Sequence, residues 1–411
     1  CVGLTLGTAV LTFLLARQSL PAKSALLSMV IFLLHPQVFR FGRYFQPEAF
    51  YIFFSTLGLY LFSRGSKRGR LALVSVAGSV LAVGTLYKLL TMLTLLGCGA
   101  YLAERWVRRR DARRDVAVHA VLLIGSYLLI FGLATLLVMS RLPAFRRLVI
   151  ELNLTQREST ALSENLANGL IFLIAYFLDS AAFLVLALPA AVRGWRGAKH
   201  IGILSWQLPT MLAFTLLSRQ LFPRLLLYLT PYLSVLFVAS LEPIRRLSRQ
   251  TLLLAAIVAA VVVPWAVTDA GELLQKESAT MEIAAWIRAN TATDARIVSD
   301  YQALNFHARR ASTPWGAEIS HVVLYSGQVT AQDLIQDIEG YAAEMVILDI
   351  SPRTGHHLVT LQDYARFRNY LEDHFRQVAI VGRHNQELEI HVRHDIEVNA
   401  TALGVDAQEV E

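Results

Sequence analysis

The sequence predicts a polytopic α-helical membrane domain over residues 1–271, a small extracytoplasmic α/β domain over 272–398 and a tail over 399–411. Three observations carry that expectation. Apolar residues make up 55% of the 411-residue chain and charged residues only 17%, against roughly 25% charged in a soluble domain. Charge divides at Gly271: the first 271 residues hold 27 Lys and Arg against 10 Asp and Glu, and the remainder holds 11 against 21. The basic residues of the first part fall in short clusters between long apolar runs. A continuous basic face would suit nucleic acid, whereas clusters alternating with apolar runs suit a membrane, so no nucleic-acid partner is expected. The two cysteines, Cys1 and Cys98, offer no disulfide framework, because Cys98 lies inside an apolar run.

A bilayer core of about 30 Å needs about 20 apolar residues per helix. Segments near that length cover 2–17, 24–42, 49–63, 71–87, 88–104, 116–139, 168–192, 200–218, 224–241 and 251–269. Residues 71–104 read either as two short spans or as one broken element, which sets the expectation at nine or ten. No signal-peptide pattern precedes the first run. Basic clusters occur at 64–70, 105–114, 193–199 and 245–249, each two spans from the next, so all four fall on one side. The positive-inside rule makes that side cytoplasmic. Residues 41–48, 140–167, 219–223 and everything beyond about 270 then lie outside. Residue 1 also falls outside, which implies an odd number of spans upstream. The external loop 140–167 is amphipathic and suits an interfacial helix. Its Asn153-Leu154-Thr155 matches the N-glycosylation pattern, a motif short enough to arise by chance.

Beyond Glu272 the pattern is that of a water-soluble domain. Helical periodicity covers 281–290, 334–343 and 361–375, and β-like runs cover 296–299, 345–350, 377–381 and 388–392. Helices alternating with strands predict a small sheet with packed helices. His307, His321, His356, His357, His374, His384, His391 and His394 all fall here, without HExxH or other metal spacing. They read as solvated or satisfied histidines, and no cofactor is evident. A divalent metal has no support in the sequence.

Charges at membrane depth cost about 2.5–3.5 kcal/mol each on insertion scales and need a reason. Arg40, Arg43 and Glu48 lie within nine residues, with Tyr44 between them and Pro47 bending the chain into the next helix. Tyr87-Lys88 interrupts 71–104, and Arg219 and Arg224 flank Pro223 a few residues before Tyr228. On the topology above, all three groups map to the external face. Snorkelling to headgroups accounts for such residues in structural terms; the functional reading is a cationic site for an anionic lipid headgroup, with Arg forks and a Lys point charge on phosphate oxygens. Asp179, inside 168–192, is either buried and neutral or paired.

The stretches "HPQVFRFGRYFQPEAFYIFFSTLGLYLFSR", "GTLYKLLTML" and "SRQLFPRLLLYLTPYLSVL" resemble the polytopic C-type (GT-C) glycosyltransferases, in particular the protein O-mannosyltransferases and aminoarabinose transferases. The likeness extends to "AWIRANTATDARIVSD", "EMVILDI" and "FRQVAIVG" in the tail domain. The resemblance implies an integral-membrane enzyme that moves a hexose or pentose from a polyprenyl-phosphate-linked sugar to a hydroxyl on a lipid, glycan or protein acceptor. It places Arg43, Lys88 and Arg224 on the lipid phosphate, with Arg219 secondary, and Tyr44, Tyr87 and Tyr228 in the substrate pocket. Glu48 would support the chemistry by orienting sugar or cation. The first span and external loop that carry the catalytic Asp in such enzymes have no counterpart here, so the general base is expected upstream of Cys1. A transporter of lipid-linked sugar, or a non-catalytic envelope scaffold, would use much of the same residue set.

Overall fold

The computed structural model divides the chain into two units, Cys1–Leu274 and Gln275–Glu411. It describes residues 2–35, 37–38, 47–108, 113–141, 170, 183–196, 201–217, 227–241, 279–317, 319, 323–324, 327, 329–350, 358–383 and 386–398. The loop expected from residue 140 begins no earlier than 142, since Ser140 and Arg141 end a helix; the expectations for the rest of it with Asn153, for Asp179, for the 251–269 span and for the 399–411 tail lie outside the described residues.

The first unit is helical. Its early elements are α1 (Val2–Arg17), α2 (Ala22–Leu34), α3 (Pro47–Arg68), α4 (Leu71–Tyr87), α5 (Met92–Arg108) and α6 (Arg113–Arg141). Helix α3 opens on Pro47, whose fixed φ suits a first helical turn. From Glu48 to Arg68 the rise is about 30 Å, and α4 returns over a similar length. Apolar residues are spread around most faces of α1 and α4, as expected of helices that do not divide a core from water. Two glycines allow close packing: a Cβ on Gly58 would meet Leu81 at 2.5 Å, and one on Gly78 would collide with the carbonyl oxygen of Leu123 on α6. Small residues at such crossings let backbones approach where packing, not water exclusion, holds helices together. The later described elements include α7 (Phe183–Trp195), α8 (Gly202–Ser205), α9 (Gln207–Leu217) and α10 (Thr230–Leu241).

Among the described residues, one helix is both long and apolar enough to cross a membrane: α6, with 29 residues. Helices α1, α2, α4 and α7 and the stretch Leu227–Leu241 are apolar but shorter. Helix α6 turns large apolar side chains outward; Val121 is 70% exposed and Leu136 66%. Opposite ends of the helices differ in charge. Arg105 Nη1 donates to Ser66 Oγ at 3.1 Å and Arg108 donates to the Trp195 carbonyl, so three of the basic clusters meet at one end. Glu48 and Lys88 lie at the other.

The second unit is a four-stranded sheet, β1 (Ile297–Ser299), β2 (Met345–Asp349), β3 (Phe375–Arg383) and β4 (Gln386–Arg393), in the order β1-β2-β4-β3. Strands β1 and β2 are parallel; β4 runs antiparallel to both β2 and β3. Helices α11 (Ala279–Asn290), α14 (Ala331–Gly340) and α15 (Tyr364–His374) match the expected periodic segments within a few residues. Ile283, Ala284 and Ile287 of α11 pack with Ile297, Met345, Ile347 and Ile390 in the core. Helix α14 starts three residues before its apolar pattern because Thr330 and Asp333 form a capping box. Two short helices that periodicity does not reveal, α12 (Gln302–Ala308) and α13 (Pro314–Ala317), fill the β1–α14 connection.

Candidate functional site

Lys88 explains the break in residues 71–104. It caps α4 in an extended conformation (φ −159°, ψ 128°), and a single 3₁₀ turn, Leu89–Thr91, leads into α5. The segment is therefore two helices with a charged hinge between them. The extended backbone turns the Lys88 side chain towards the first turn of α3, where Nζ donates to Glu48 Oε1 at 2.7 Å. Glu48 is 1% exposed and Lys88 23%. Tyr51, one turn along α3 from Glu48, sets its ring 5.3 Å from the ammonium, a cation–π contact that reinforces the charge's position.

The pair has two chemical consequences. A carboxylate this deeply buried needs its cation, since removing one partner of a buried pair costs about 3–5 kcal/mol. The ammonium has three N–H donors and stays partly exposed, so it can meet an anion while held by Glu48. Lys88 is thus a positioned cation rather than a freely snorkelling one.

The other expected residues divide. Tyr87 is 52% exposed and stacks on Phe50 at 4.8 Å and Phe54 at 5.7 Å. By the 100° step of a helix, Phe54 lies about 60° and Phe50 about 100° round α3 from Tyr51, so those rings flank the face that carries Glu48 and Tyr51. Tyr228 is fully buried. Its hydroxyl donates to Gln207 Oε1 at 2.7 Å and shares a 2.9 Å hydrogen bond with Thr94 Oγ1, while Tyr232 meets its ring edge-on at 5.3 Å. The network ties Tyr228 to α5 and α9. Arg43, Tyr44, Arg219 and Arg224 lie outside the described residues.

Three participants escaped the sequence reading: Tyr51, Thr94 and Gln207. Tyr51 had a signal, since i, i+3 spacing from Glu48 puts both on one helix face. Thr94 and Gln207 are neutral polar residues in apolar segments and stand out only weakly. Among the described residues, no group of three or more His, Cys, Asp or Glu is placed to hold a metal ion.

Residues 3–139 match the sequence model of the family described as dolichyl-phosphate-mannose-protein mannosyltransferase. Most of the chain is similar to the crystal structure of ArnT from Cupriavidus metallidurans bound to undecaprenyl phosphate, with a TM-score of 0.65 at 15% identity over 94% of this chain and 82% of that one. The chain has the GT-C fold. It is also similar to the Archaeoglobus fulgidus oligosaccharyltransferase in complex with Zn and sulfate (TM-score 0.50, 13% identity, 84% of this chain and 55% of that one). The same enzyme tethered to an acceptor peptide gives 0.51 at 12% identity, over 95% of this chain and 62% of that one. The chain therefore spans under two thirds of the archaeal enzyme. No curated protein sequence matches it significantly. The GT-C resemblance carried by the Arg43–Glu48, Lys88 and Arg224 stretches is thus met again in an independent family match to the first third and in the fold of nearly the whole chain.

Proposed function

We propose that this GT-C chain is an integral-membrane glycosyltransferase that moves a hexose or pentose from a polyprenyl-phosphate donor to a hydroxyl acceptor on the extracytoplasmic side. The observation that carries the proposal is the Lys88–Glu48 pair, a held and partly exposed cation at the end of the helices remote from the basic clusters. The lipid phosphate bound in the ArnT structure supports the choice of ligand. The membrane setting is supported by the outward apolar face of α6 and by charged ends about one hydrocarbon thickness apart. With the basic end cytoplasmic, the pair faces outside, as does the α/β unit.

In this reaction the acceptor oxygen attacks the anomeric carbon, the glycosidic bond to phosphate breaks, and the lipid phosphate leaves with the electron pair. Lys88, with Arg43 and Arg224 and with Arg219 in support, stabilises the phosphate as its charge grows. Groups preorganised for charge that develops in the transition state supply much of such a catalyst's power. Glu48 positions Lys88 and is the supporting carboxylate. A general base takes the acceptor proton as the new bond forms. Tyr228 acts by position: with Thr94 and Gln207 it fixes the stretch that follows Arg224. Tyr44 and Tyr87 remain assigned to the substrate side.

The test is binding of a polyprenyl-phosphate sugar to purified protein. Arg224→Ala is expected to abolish binding while the protein stays folded; unchanged binding removes the phosphate site. A cysteine placed at exposed Glu372 reports the side of the α/β unit. Labelling by an impermeant maleimide from outside intact cells, above that of the parent protein, is expected; labelling only after lysis contradicts the orientation.

A further inference from the structure

A groove of about 570 Å³ runs between α5 and α6, lined by Leu95, Gly99 and Trp106 on one side and Val116, Ala120 and Ile124 on the other. Its lining is apolar throughout, and from Leu95 to Trp106 it follows α5 for about 16 Å. This is room for much of an acyl chain. One end of the groove is at the basic end of the helices. There Trp106 is 42% exposed, the Arg113 guanidinium lies over its ring at 5.6 Å, and Arg113 Nε donates to the Trp106 carbonyl at 3.4 Å. The sequence from Glu104 to Asp115 holds six arginines and three carboxylates.

By sequence that stretch carries a net charge of +3. Glu104 is engaged by Arg108 at 3.2 Å and by the Trp206 indole N–H at 2.6 Å. Arg105 is turned towards Ser66. Arg113 and Arg114 are exposed at the mouth, next to exposed Asp115. An apolar slot with an indole at its rim and exposed guanidiniums above it is complementary to one kind of molecule. The geometry points to a binding site for an anionic glycerophospholipid of the cytoplasmic leaflet, with an acyl chain between α5 and α6 and its phosphate on Arg113 and Arg114. The site is separate from Lys88, at the end of α4, and Glu48, in the first turn of α3, which lie at the opposite end of the helical unit. The inference rests on the membrane reading of the proposed function, but not on the sugar-transfer chemistry.

The test uses the whole chain reconstituted in phosphatidylcholine bilayers containing a small, equal fraction of either brominated phosphatidylglycerol or brominated phosphatidylcholine. Bromine quenches indole on contact, and the Trp106 signal is the difference between wild type and Trp106→Phe. One engaged arginine is worth about fivefold in occupancy by an anionic lipid, so brominated phosphatidylglycerol is expected to quench Trp106 far more than brominated phosphatidylcholine. A Cβ at Gly99 meets nothing within 4 Å, so Gly99→Leu fills the slot without strain and is expected to remove the excess. Arg113→Gln with Arg114→Gln is expected to equalise the two lipids. Equal quenching in the wild type overturns the site. Displacement by undecaprenyl phosphate, but not by unlabelled phosphatidylglycerol, also overturns it, because the groove would then hold donor lipid. In a fully brominated phosphatidylcholine bilayer, quenching of no tryptophan at all would mean that the chain is not embedded, a failure of the membrane reading itself.

Discussion

Lys88 Nζ donates to Glu48 Oε1 at 2.7 Å across forty residues of chain, joining the end of α4 to the first turn of α3. The contact turns a charge that interrupts an apolar run into a fixed part of the structure. It also makes two residues interdependent, because a carboxylate 1% exposed has no water to replace a lost cation.

That interdependence has a direct signature. Lys88→Met alone and Glu48→Gln alone should each destabilise the helical unit, the former by about 3 kcal/mol or more. The double variant should lose less than the sum, because it leaves no buried charge. Thermal unfolding in detergent measures all three; additive losses would mean that the pair is not coupled.

Packing between α4 and α6 supplies a second expectation. A methyl group at Gly78 would run into the Leu123 carbonyl oxygen and the Ser126 hydroxyl. Backbone cannot move aside as a flexible side chain can, so Gly78→Ala should cost about 1–3 kcal/mol. Gly125, where an added Cβ meets nothing within 4 Å, is the control, and Gly125→Ala should leave the unfolding temperature unchanged or raise it slightly.

The Tyr228 hydroxyl gives a third. Tyr228→Phe strands buried Gln207 and Thr94 together, each without the partner it has now. Leaving such groups unsatisfied costs about 1–3 kcal/mol. If the network positions the stretch after Arg224, the variant should also weaken binding of the lipid phosphate. A stability loss with unchanged binding would confine Tyr228 to a structural role.

The α/β unit responds to pH through Asp300. Burial pushes its carboxyl up to about 7, opposed by the backbone N–H groups of Asp349 and Leu358 that point at it and assisted by the nearby Asp349 carboxylate. A carboxyl whose folded value is raised contributes stability below its unfolded value, and that contribution is lost as pH rises through the folded one. The window is therefore from about 4 to about 7. Amide exchange at Asp349 and Leu358, compared after correction for intrinsic rates, should show falling protection across it, and Asp300→Asn should flatten that trend. Glu389 acts in the opposite sense at lower pH. Burial raises its carboxyl, but the adjacent His391 ring at 3.2 Å and two hydrogen bonds from Arg368 outweigh burial and hold it at about 2. Its contribution is present above the usual glutamate value and fades as pH falls towards 2.

Much of the architecture was legible because helices in a membrane-like unit declare themselves by length and apolarity. Residues 2–17 and 71–87 become α1 and α4 with the expected limits, and the alternating run 388–392 lies inside β4. The break at Lys88 was legible as a charge where none is cheap. Its partner was not, because sequence spacing carries no information about which helix returns to meet residue 88. Thr94 and Gln207 were invisible for a different reason: a neutral hydroxyl or amide in an apolar helix costs little when it finds a partner, so it leaves no compositional mark. Helix α12 is two turns long in a mixed-polarity stretch, too short for periodicity to show.

The central claim is that Lys88, held by Glu48, takes the lipid phosphate. The most direct measurement is the affinity of the purified protein for undecaprenyl phosphate, wild type against Lys88→Met/Glu48→Gln, with unfolding temperatures measured on the same samples. A hydrogen bond to a charged group contributes about 1.5–3 kcal/mol, so a folded double variant should bind about tenfold to a hundredfold more weakly. A double variant that is folded and binds as tightly as the wild type would contradict the account.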